Sequence, residues 1–311
     1  MNRKLARTVA LISLILLPMT TAMAGGAPFL WRVFGARAPH YLAGSVHLAP
    51  DTDELPAGLE DAYDQSYGVV FESDLTALQS KSAQQQLVLQ GRADAGGLTA
   101  EIGAKDFAHV QGQLRKLNLP SNLCDQMHAW FCGLMAEIAV WRQLGFDGAT
   151  GVDEQLYDDA QEDGKKIRWF EAPQVQLALF SGMSPAVARE FLNASLDENS
   201  DPAQSPQALY RAWRNNDTAA IEKAVVEMRR DYPQVYERLL LNRNRSWMPQ
   251  LERMLGEAQT QMIVVGAAHL VGPDGLVTQL RAKGYTVTPV FSVVPTQAAS
   301  IDESRRLLAA R

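Results

Sequence analysis

The hydrophobic positions of the chain form short compact runs separated by longer stretches with helical spacing. Compact apolar runs of this length, bounded by glycine, proline and polar residues, are typical of buried β-strands. They predict strands at residues 29–34, 40–43, 67–75, 165–173, 262–269 and 285–291. The last run contains Pro289. Because proline cannot donate to a strand ladder, this run is expected at the edge of the sheet.

Between these strands, apolar residues recur with a period near 3.6, which predicts helices. The predicted helices cover residues 105–119, 124–144, 151–163, 173–182, 185–195, 206–214, 217–230, 233–258 and 273–284. Strands that alternate with helices favour parallel pairing. The predicted fold class is α/β, with α+β as the alternative. It is a mostly parallel central sheet with active residues at the carboxyl ends of its strands and a large helical insertion.

The first 24 residues have the pattern of a secretory signal peptide. A basic start precedes an apolar core from Val9 to Leu17, and Ala22-Met23-Ala24 offers a small-residue cleavage site. The sequence therefore predicts a signal peptide over residues 1–24, a mature chain from about Gly25, and a periplasmic or secreted protein. Residues 25–311 are expected to form one domain, with the helical insertion at about 100–260. No later stretch is long enough to span a bilayer, so no stable membrane insertion is expected after cleavage.

Composition narrows the class of protein only slightly. Hydrophobic residues make up 47% and charged residues 21% of the chain, which is ordinary for a globular protein. A net charge of -6 gives no electrostatic footprint for nucleic acid, so no nucleic-acid partner is expected. Cys124 and Cys132 would lie too far apart to bridge on one helix, but a disulfide could form if the helix begins after Cys124. Both alternatives stay open.

Four apolar runs of the predicted strands each end with a polar residue capable of catalysis. These residues are His47, Glu72, Glu171 and His269. In an open α/β sheet, ligands bind beyond the carboxyl ends of the strands, so these side chains are expected to meet. A glycine precedes each histidine by three residues, Gly44 and Gly266, and lets the backbone turn sharply there.

Two histidines and a glutamate are the ligand set that a catalytic divalent metal prefers. His47, Glu72 and His269 are therefore candidate metal ligands. Such a metal would acidify a bound water and polarise a carbonyl, as amide hydrolysis requires, and an unligated carboxylate would take the proton. Alternatively, a His/Glu pair activates water without a metal.

Each of these residues also has a structural interpretation. Glu72 could be a solvated carboxylate at a strand end, and Glu171 could cap the following helix. Asp153 is interpreted as a first-turn helix carboxylate favoured by the helix dipole. The remaining histidines are expected to be structural or on the surface; they are His40, His109 and His128.

Several segments together resemble the TraB/GumN family, which includes the TIKI metalloproteases that act on secreted Wnt proteins. They are "LAGSVHLAP", "VVFESDL", "GVDEQLYDDAQEDGKKIRWFEAPQVQL", "NRNRSWMPQLERML" and "IVVGAAHLVGPDGLVTQLRAKGYTV". The resemblance runs from about residue 29 to 291, in the family's order, and is most specific in the C-terminal segment.

The resemblance implies an active centre made of two Gly-x-x-His motifs and a glutamate. These are Gly44 with His47, Gly266 with His269, and Glu72. Glu171 also matches a family glutamate, and the pair Arg243-Asn244 matches a family Arg-Asn pair. Arg243 is expected to hold a substrate carboxylate or a developing oxyanion; the alternative is an exposed helix arginine.

From these matches the expected roles follow. Glu72, Glu171 and Arg243 are the catalytic candidates, and Gly44, Ser45, Gly266 and Asn244 are the substrate-binding candidates. The expected function is an exported, metal-dependent hydrolase, namely a peptidase acting on a peptide or protein substrate with Mn, Co or Zn. The alternative is a non-catalytic protein that captures a peptide, pheromone or haem in the same cleft.

Overall fold

A computed structural model describes residues 29–34, 37–50, 54–197 and 205–291. The predicted signal peptide at residues 1–24 lies outside the described residues. Within the described part, no helix is both long enough and apolar enough to cross a membrane.

The described core is built around a six-stranded mixed sheet and a separate two-stranded pair. The strands are β1 (Leu30–Phe34), β2 (His40–Ser45), β3 (Ala49–Pro50), β4 (Gly68–Phe71), β5 (Phe146–Asp147), β6 (Lys166–Trp169), β7 (Gln261–Gly266) and β8 (Thr286–Pro289). The order in the sheet is β6-β4-β7-β2-β1-β8, and β3 pairs with β5. Strands β6, β4, β7 and β2 are parallel neighbours, whereas β1 is antiparallel to β2 and β8.

The prediction of an α/β fold with a mostly parallel sheet is confirmed. The inner strands β2, β4 and β7 are buried almost throughout, which is why they appear in the sequence as continuous apolar runs. Strand β8, which contains Pro289, lies at one end of the sheet as expected. Three predicted strands were too long, because the chain leaves the sheet after Phe71, Trp169 and Gly266.

Helices make up most of the rest of the described chain and fill its middle. They are α1 (Ala57–Asp64), α2 (Leu75–Gln79), α3 (Lys81–Gly91), α4 (Gly97–Ile102), α5 (Ala104–Lys116), α6 (Ala129–Gln143), α7 (Val152–Glu162), α8 (Pro173–Ser181), α9 (Pro185–Ser195), α10 (Pro206–Arg214), α11 (Thr218–Asp231), α12 (Pro233–Tyr236), α13 (Asn242–Leu255) and α14 (Leu276–Ala282). A π-helix, Glu237–Leu241, joins α12 to α13, and short 3₁₀ turns cover Gly148–Thr150 and Ala267–His269. Strand β6 belongs to the central sheet, so it divides the helical region expected at residues 100–260.

The two cysteines form a disulfide, with their Cα atoms 5.2 Å apart. The predicted helix at 124–144 was wrong at its start, because α6 begins only at Ala129 and Cys124 lies in the preceding turn. This is the open alternative in which a bridge becomes feasible. The disulfide lies in a second hydrophobic core formed by helices, apart from the main core around the sheet.

Candidate active site

The parallel strands bring the predicted polar residues to one edge of the sheet. Glu72 directly follows β4, and Glu171 lies two residues beyond β6; the Glu171 backbone N–H donates to the Glu72 carbonyl at 2.9 Å. His269 lies in the 3₁₀ turn after β7. A Cβ atom placed on Gly266 would lie 3.4 Å from Glu72 Oε1, 3.6 Å from His269 Cδ2 and 3.6 Å from His47 Nε2. The two Gly-x-x-His turns and the glutamate therefore converge on one place.

Arg243 lies at the centre of the site and is buried, with 9% of its side chain exposed. Its Nη2 donates to Glu72 Oε2 at 2.6 Å and to Glu171 Oε2 at 2.9 Å. Each of its three nitrogens donates to at least one acceptor of the protein, and those acceptors are Glu72, Glu171, Gln176, His269 and the Leu239 carbonyl. Arg243 is thus neither the exposed helix arginine considered above nor a free donor for substrate. It holds the two carboxylates in place.

Glu72 is held as a carboxylate by groups from three parts of the chain. Its Oε1 accepts from the Gly266 backbone N–H at 2.7 Å, and its Oε2 accepts from Arg243. Burial alone would raise the pKa of Glu72, but Arg243, His47 and the Gly266 backbone N–H together lower it well below its ordinary value. Glu72 therefore stays ionised, and it is a weak base.

Glu171 lies deeper, where it accepts from Arg243 and from Trp247 Nε1 at 2.9 Å. Its side chain is 6% exposed. The interpretation of Glu171 as a helix cap is wrong, because these bonds place its carboxylate inside the Arg243 network.

Asn244 fixes the tautomer of His269. The Asn244 amide nitrogen donates to the carbonyls of His269 and Asp274, at 3.1 and 2.9 Å. Its oxygen must then accept from His269 Nδ1, at 2.6 Å, so Nε2 carries the lone pair and accepts from Arg243 Nη1 at 3.2 Å. Burial lowers the pKa of His269 to about 3, so the ring is neutral at physiological pH. Asn244 acts through His269 here, and its predicted contact with substrate stays a prediction.

Asp153 orients His47, a role that the sequence interpretation missed. His47 Nδ1 lies 2.7 Å from Asp153 Oδ2, and 55% of the His47 side chain is exposed. The Asp153 charge raises the pKa of His47 to about 9. Because the carboxylate can only accept, Nδ1 carries the proton and Nε2 faces the space above Gly266.

The segment Gly151-Val152-Asp153 is built to reach His47. A Cβ atom on Gly151 would lie 2.5 Å from the His47 carbonyl oxygen, so only glycine allows this approach. The Val152 backbone N–H then donates to the Val46 carbonyl at 2.9 Å. In the sequence, the contact between Asp153 and His47 was indicated only by Gly151, which stands directly before the acidic first turn of α7.

A pocket of about 210 Å³ opens beside these groups. It is lined by Ser45, His47, Phe71, Glu72, Ser73, Leu75, Leu78, Asp153, Gln176 and Val264. The buried Ser45 hydroxyl has no hydrogen-bond partner in the described part of the chain. Gln176 turns its oxygen to Arg243, at 3.0 Å, so its NH₂ group points away from that network. The pocket therefore contains donors for a bound group.

The two glycines of the histidine motifs differ in their surroundings. Gly44 lies inside β2, where a Cβ atom would approach Phe29 Cδ1 to 2.3 Å, and its carbonyl accepts from Trp213 Nε1 at 2.7 Å. The need for glycine at this position comes from packing. Gly266 faces the open space of the site, where a Cβ atom would make only ordinary contacts.

The predicted ligand set does not fit a metal ion as it is placed here. Among the described residues, no three or more His, Cys, Asp or Glu side chains are arranged to hold an ion. Arg243 donates to the lone pair of His269 Nε2 and also binds Glu72. A permanent cation thus contacts two of the three predicted ligands.

Other predicted structural residues behave as expected. His40 is fully buried in β2 and accepts from the Gln261 backbone N–H, while His109 is bonded to Gln113 on α5. His128 pairs with Glu101 at the start of α6.

Comparison with known proteins places this chain in a family. Over residues 29–289 the chain matches the TraB/PrgY/gumN family. It is 21% identical over 243 residues to the "Uncharacterized protein YbaP" of Escherichia coli (strain K12), covering 78% of this chain and 87% of that protein. It is 22% identical over 249 residues to the protein of the same name from Shigella flexneri, covering 79% and 89%. No solved structure matches the chain. The chain belongs to the TraB/PrgY/gumN family.

Proposed function

We propose that the protein is an exported hydrolase that cleaves an amide bond in a peptide or protein substrate, with His47 as its general base. The observation that carries the proposal is the His47–Asp153 pair. The ring nitrogen that Asp153 does not bind, His47 Nε2, faces a pocket that contains the unpartnered, buried Ser45 hydroxyl. A histidine oriented by a carboxylate is a common means of activating a nucleophile for acyl transfer.

In the proposed reaction, neutral His47 takes a proton from a water molecule through Nε2 as the water attacks the carbonyl carbon. Asp153 holds the Nδ1–H bond and stabilises the imidazolium that forms. The Glu72 carboxylate also favours the imidazolium, since its charge raises the pKa of His47. The imidazolium then returns the proton to the leaving nitrogen.

The negative charge on the carbonyl oxygen needs hydrogen-bond donors in the same pocket. The Ser45 hydroxyl and the Gln176 NH₂ group are the candidates, because neither is bonded inside the Arg243 network. Arg243 acts as a positioning residue that binds Glu72, and Glu171 in turn binds Arg243.

Export is supported by the disulfide, since such bonds persist in oxidising compartments. The peptide substrate is an expectation from the family resemblance, and the divalent metal (Mn, Co or Zn) is an expectation from the resemblance and from the ligand set His47, Glu72 and His269. Because the ligand set does not fit a metal here, no step of the proposed reaction passes through one.

The test is digestion of a peptide library by the purified protein in chelator and with added Mn, Co or Zn. We expect defined cleavage in chelator, its loss in His47→Ala, and its retention in His109→Ala, an exposed histidine on α5. Cleavage that requires added metal would contradict the metal-free reaction. Absence of cleavage under every condition, with retention of a peptide or of haem, would contradict the hydrolase proposal and favour a binding protein.

A further inference from the structure

Four of the ten residues that line the active-site pocket are apolar. Helix α2 begins three residues after Glu72, and two of its side chains, Leu75 and Leu78, line the pocket. Phe71 and Val264, both buried in the sheet, are the other two, and these four residues are called the apolar wall below. The apolar wall is therefore connected directly to the strand that positions Glu72.

Leu78 is not part of either hydrophobic core of the described chain. Leu75 packs against the main core, but Leu78 belongs neither to that core nor to the helical one. It is half-buried and faces the pocket. Covering such a side chain with an apolar ligand group removes further apolar surface from water, which is favourable.

The wall is held in a fixed place by Asp74, the residue that caps α2. Asp74 Oδ1 accepts from the Ala77 backbone N–H at 3.1 Å and from the Tyr157 hydroxyl at 2.9 Å. The second bond ties α2 to α7, the helix that also carries Asp153. The helix that carries the two leucines is thus tied to the helix that carries Asp153.

Charge and size restrict what the pocket can accept. The ionisable residues among its lining are His47, Glu72 and Asp153, and each is already paired. A charged side chain placed against the leucines would be buried without a partner, which is costly. A volume of about 210 Å³ is smaller than a typical pocket for a whole small molecule, and it suits a single side chain.

We propose that the Leu75–Leu78 wall selects an uncharged apolar side chain of the residue adjacent to the bond that is cut. This inference rests on the proposed hydrolase function, and it names the substrate class for that site. Leu78 is the specificity-determining residue, because its side chain serves neither core.

The experiment uses a panel of peptides that differ only at the residue adjacent to the cleaved bond, with Leu, Phe, Ala, Asp or Lys there. For the wild-type protein we expect kcat/KM for the Leu peptide to exceed that for Asp and Lys by at least about tenfold, the scale at which pockets discriminate side chains. Leu78→Ala enlarges the pocket and should shift preference from Leu toward Phe. Leu78→Lys adds a cation and should raise kcat/KM for the Asp peptide relative to kcat/KM for the Leu peptide.

The matched controls are Leu89→Ala and Leu89→Lys on α3, where Leu89 is 72% exposed and outside the pocket. Both controls should keep the wild-type order of preference. If the wild-type protein cleaves the panel without preferring apolar residues, or if the Leu78 variants keep the wild-type order, the specificity inference is wrong while the hydrolase proposal stands. If no peptide of the panel or of the library is cleaved, both proposals fail.

Discussion

Removal of the Arg243 side chain should destabilise the protein more than most single substitutions. In Arg243→Ala, Glu72 and Glu171 remain buried, at 8% and 6% side-chain exposure, without the cation that binds both. Breaking a buried ion pair by removing one partner costs about 3–5 kcal/mol. For a chain of this size, that loss corresponds to a melting temperature about 6–20 °C lower.

The assay is thermal and urea unfolding at pH 7, with Arg245→Ala as the control, because Arg245 is an exposed arginine on the same helix. The control should stay within about 0.5 kcal/mol of wild type. The pKa of Glu72 is lowered in the folded protein, so its contribution to stability is present above about pH 4.5 and is lost as pH falls further. The difference in unfolding free energy between wild type and Arg243→Ala should therefore become smaller in acid. A loss below about 1 kcal/mol at pH 7 would refute the account of Arg243 as the residue that holds both carboxylates.

Two further predictions concern the active site and one concerns the disulfide. Gly266→Ala should keep the wild-type stability, because its Cβ atom would meet nothing closer than 3.4 Å, but it should lose activity, because the added methyl group would lie among the catalytic side chains. Gly44→Ala, whose Cβ atom would clash at 2.3 Å, should lower the free energy of unfolding in urea by about 1–3 kcal/mol. The pKa of His269 falls to about 3 on folding, so the unfolded state binds more protons than the folded state between about pH 6.5 and 3. The free energy of unfolding should therefore decrease as the pH is lowered through that range, and this decrease should be smaller in His269→Gln. Reduction of the Cys124–Cys132 bond should lower the free energy of unfolding by about 2–3 kcal/mol, because the unfolded chain regains the conformational entropy of a short loop. An unchanged urea midpoint after reduction would contradict this.

The parallel sheet and the polar residues at its edge could be predicted because both depend on local sequence. Strands buried on both faces appear as apolar runs, and in parallel strands the residues that follow each run lie at the same edge. Helix α3 was not predicted, because Gly91 is the one residue it buries and its sequence therefore shows no apolar stripe.

The partners of the site residues could not be predicted in this way. Asp153 is 106 residues from His47, and its sequence alone fits an ordinary first-turn carboxylate. Arg243 lies on the face of α13 that also buries Trp247 and Leu251, so helical spacing indicates that it is buried. Its partners Glu72 and Glu171 come from distant strands, and local sequence does not indicate them.

The most direct test of the proposed site is the pH dependence of kcat/KM for a cleaved peptide, measured in wild type and in Asp153→Asn. The base must be neutral, and the pKa of His47 is raised to about 9, so the wild-type rate should climb with pH and level off above about 9. Removing the Asp153 charge removes the largest cause of that increase, so the inflection should move toward the ordinary value of 6.5. An inflection at the same pH in both proteins, or a rate that falls as pH rises through this range, would contradict His47 as the base oriented by Asp153.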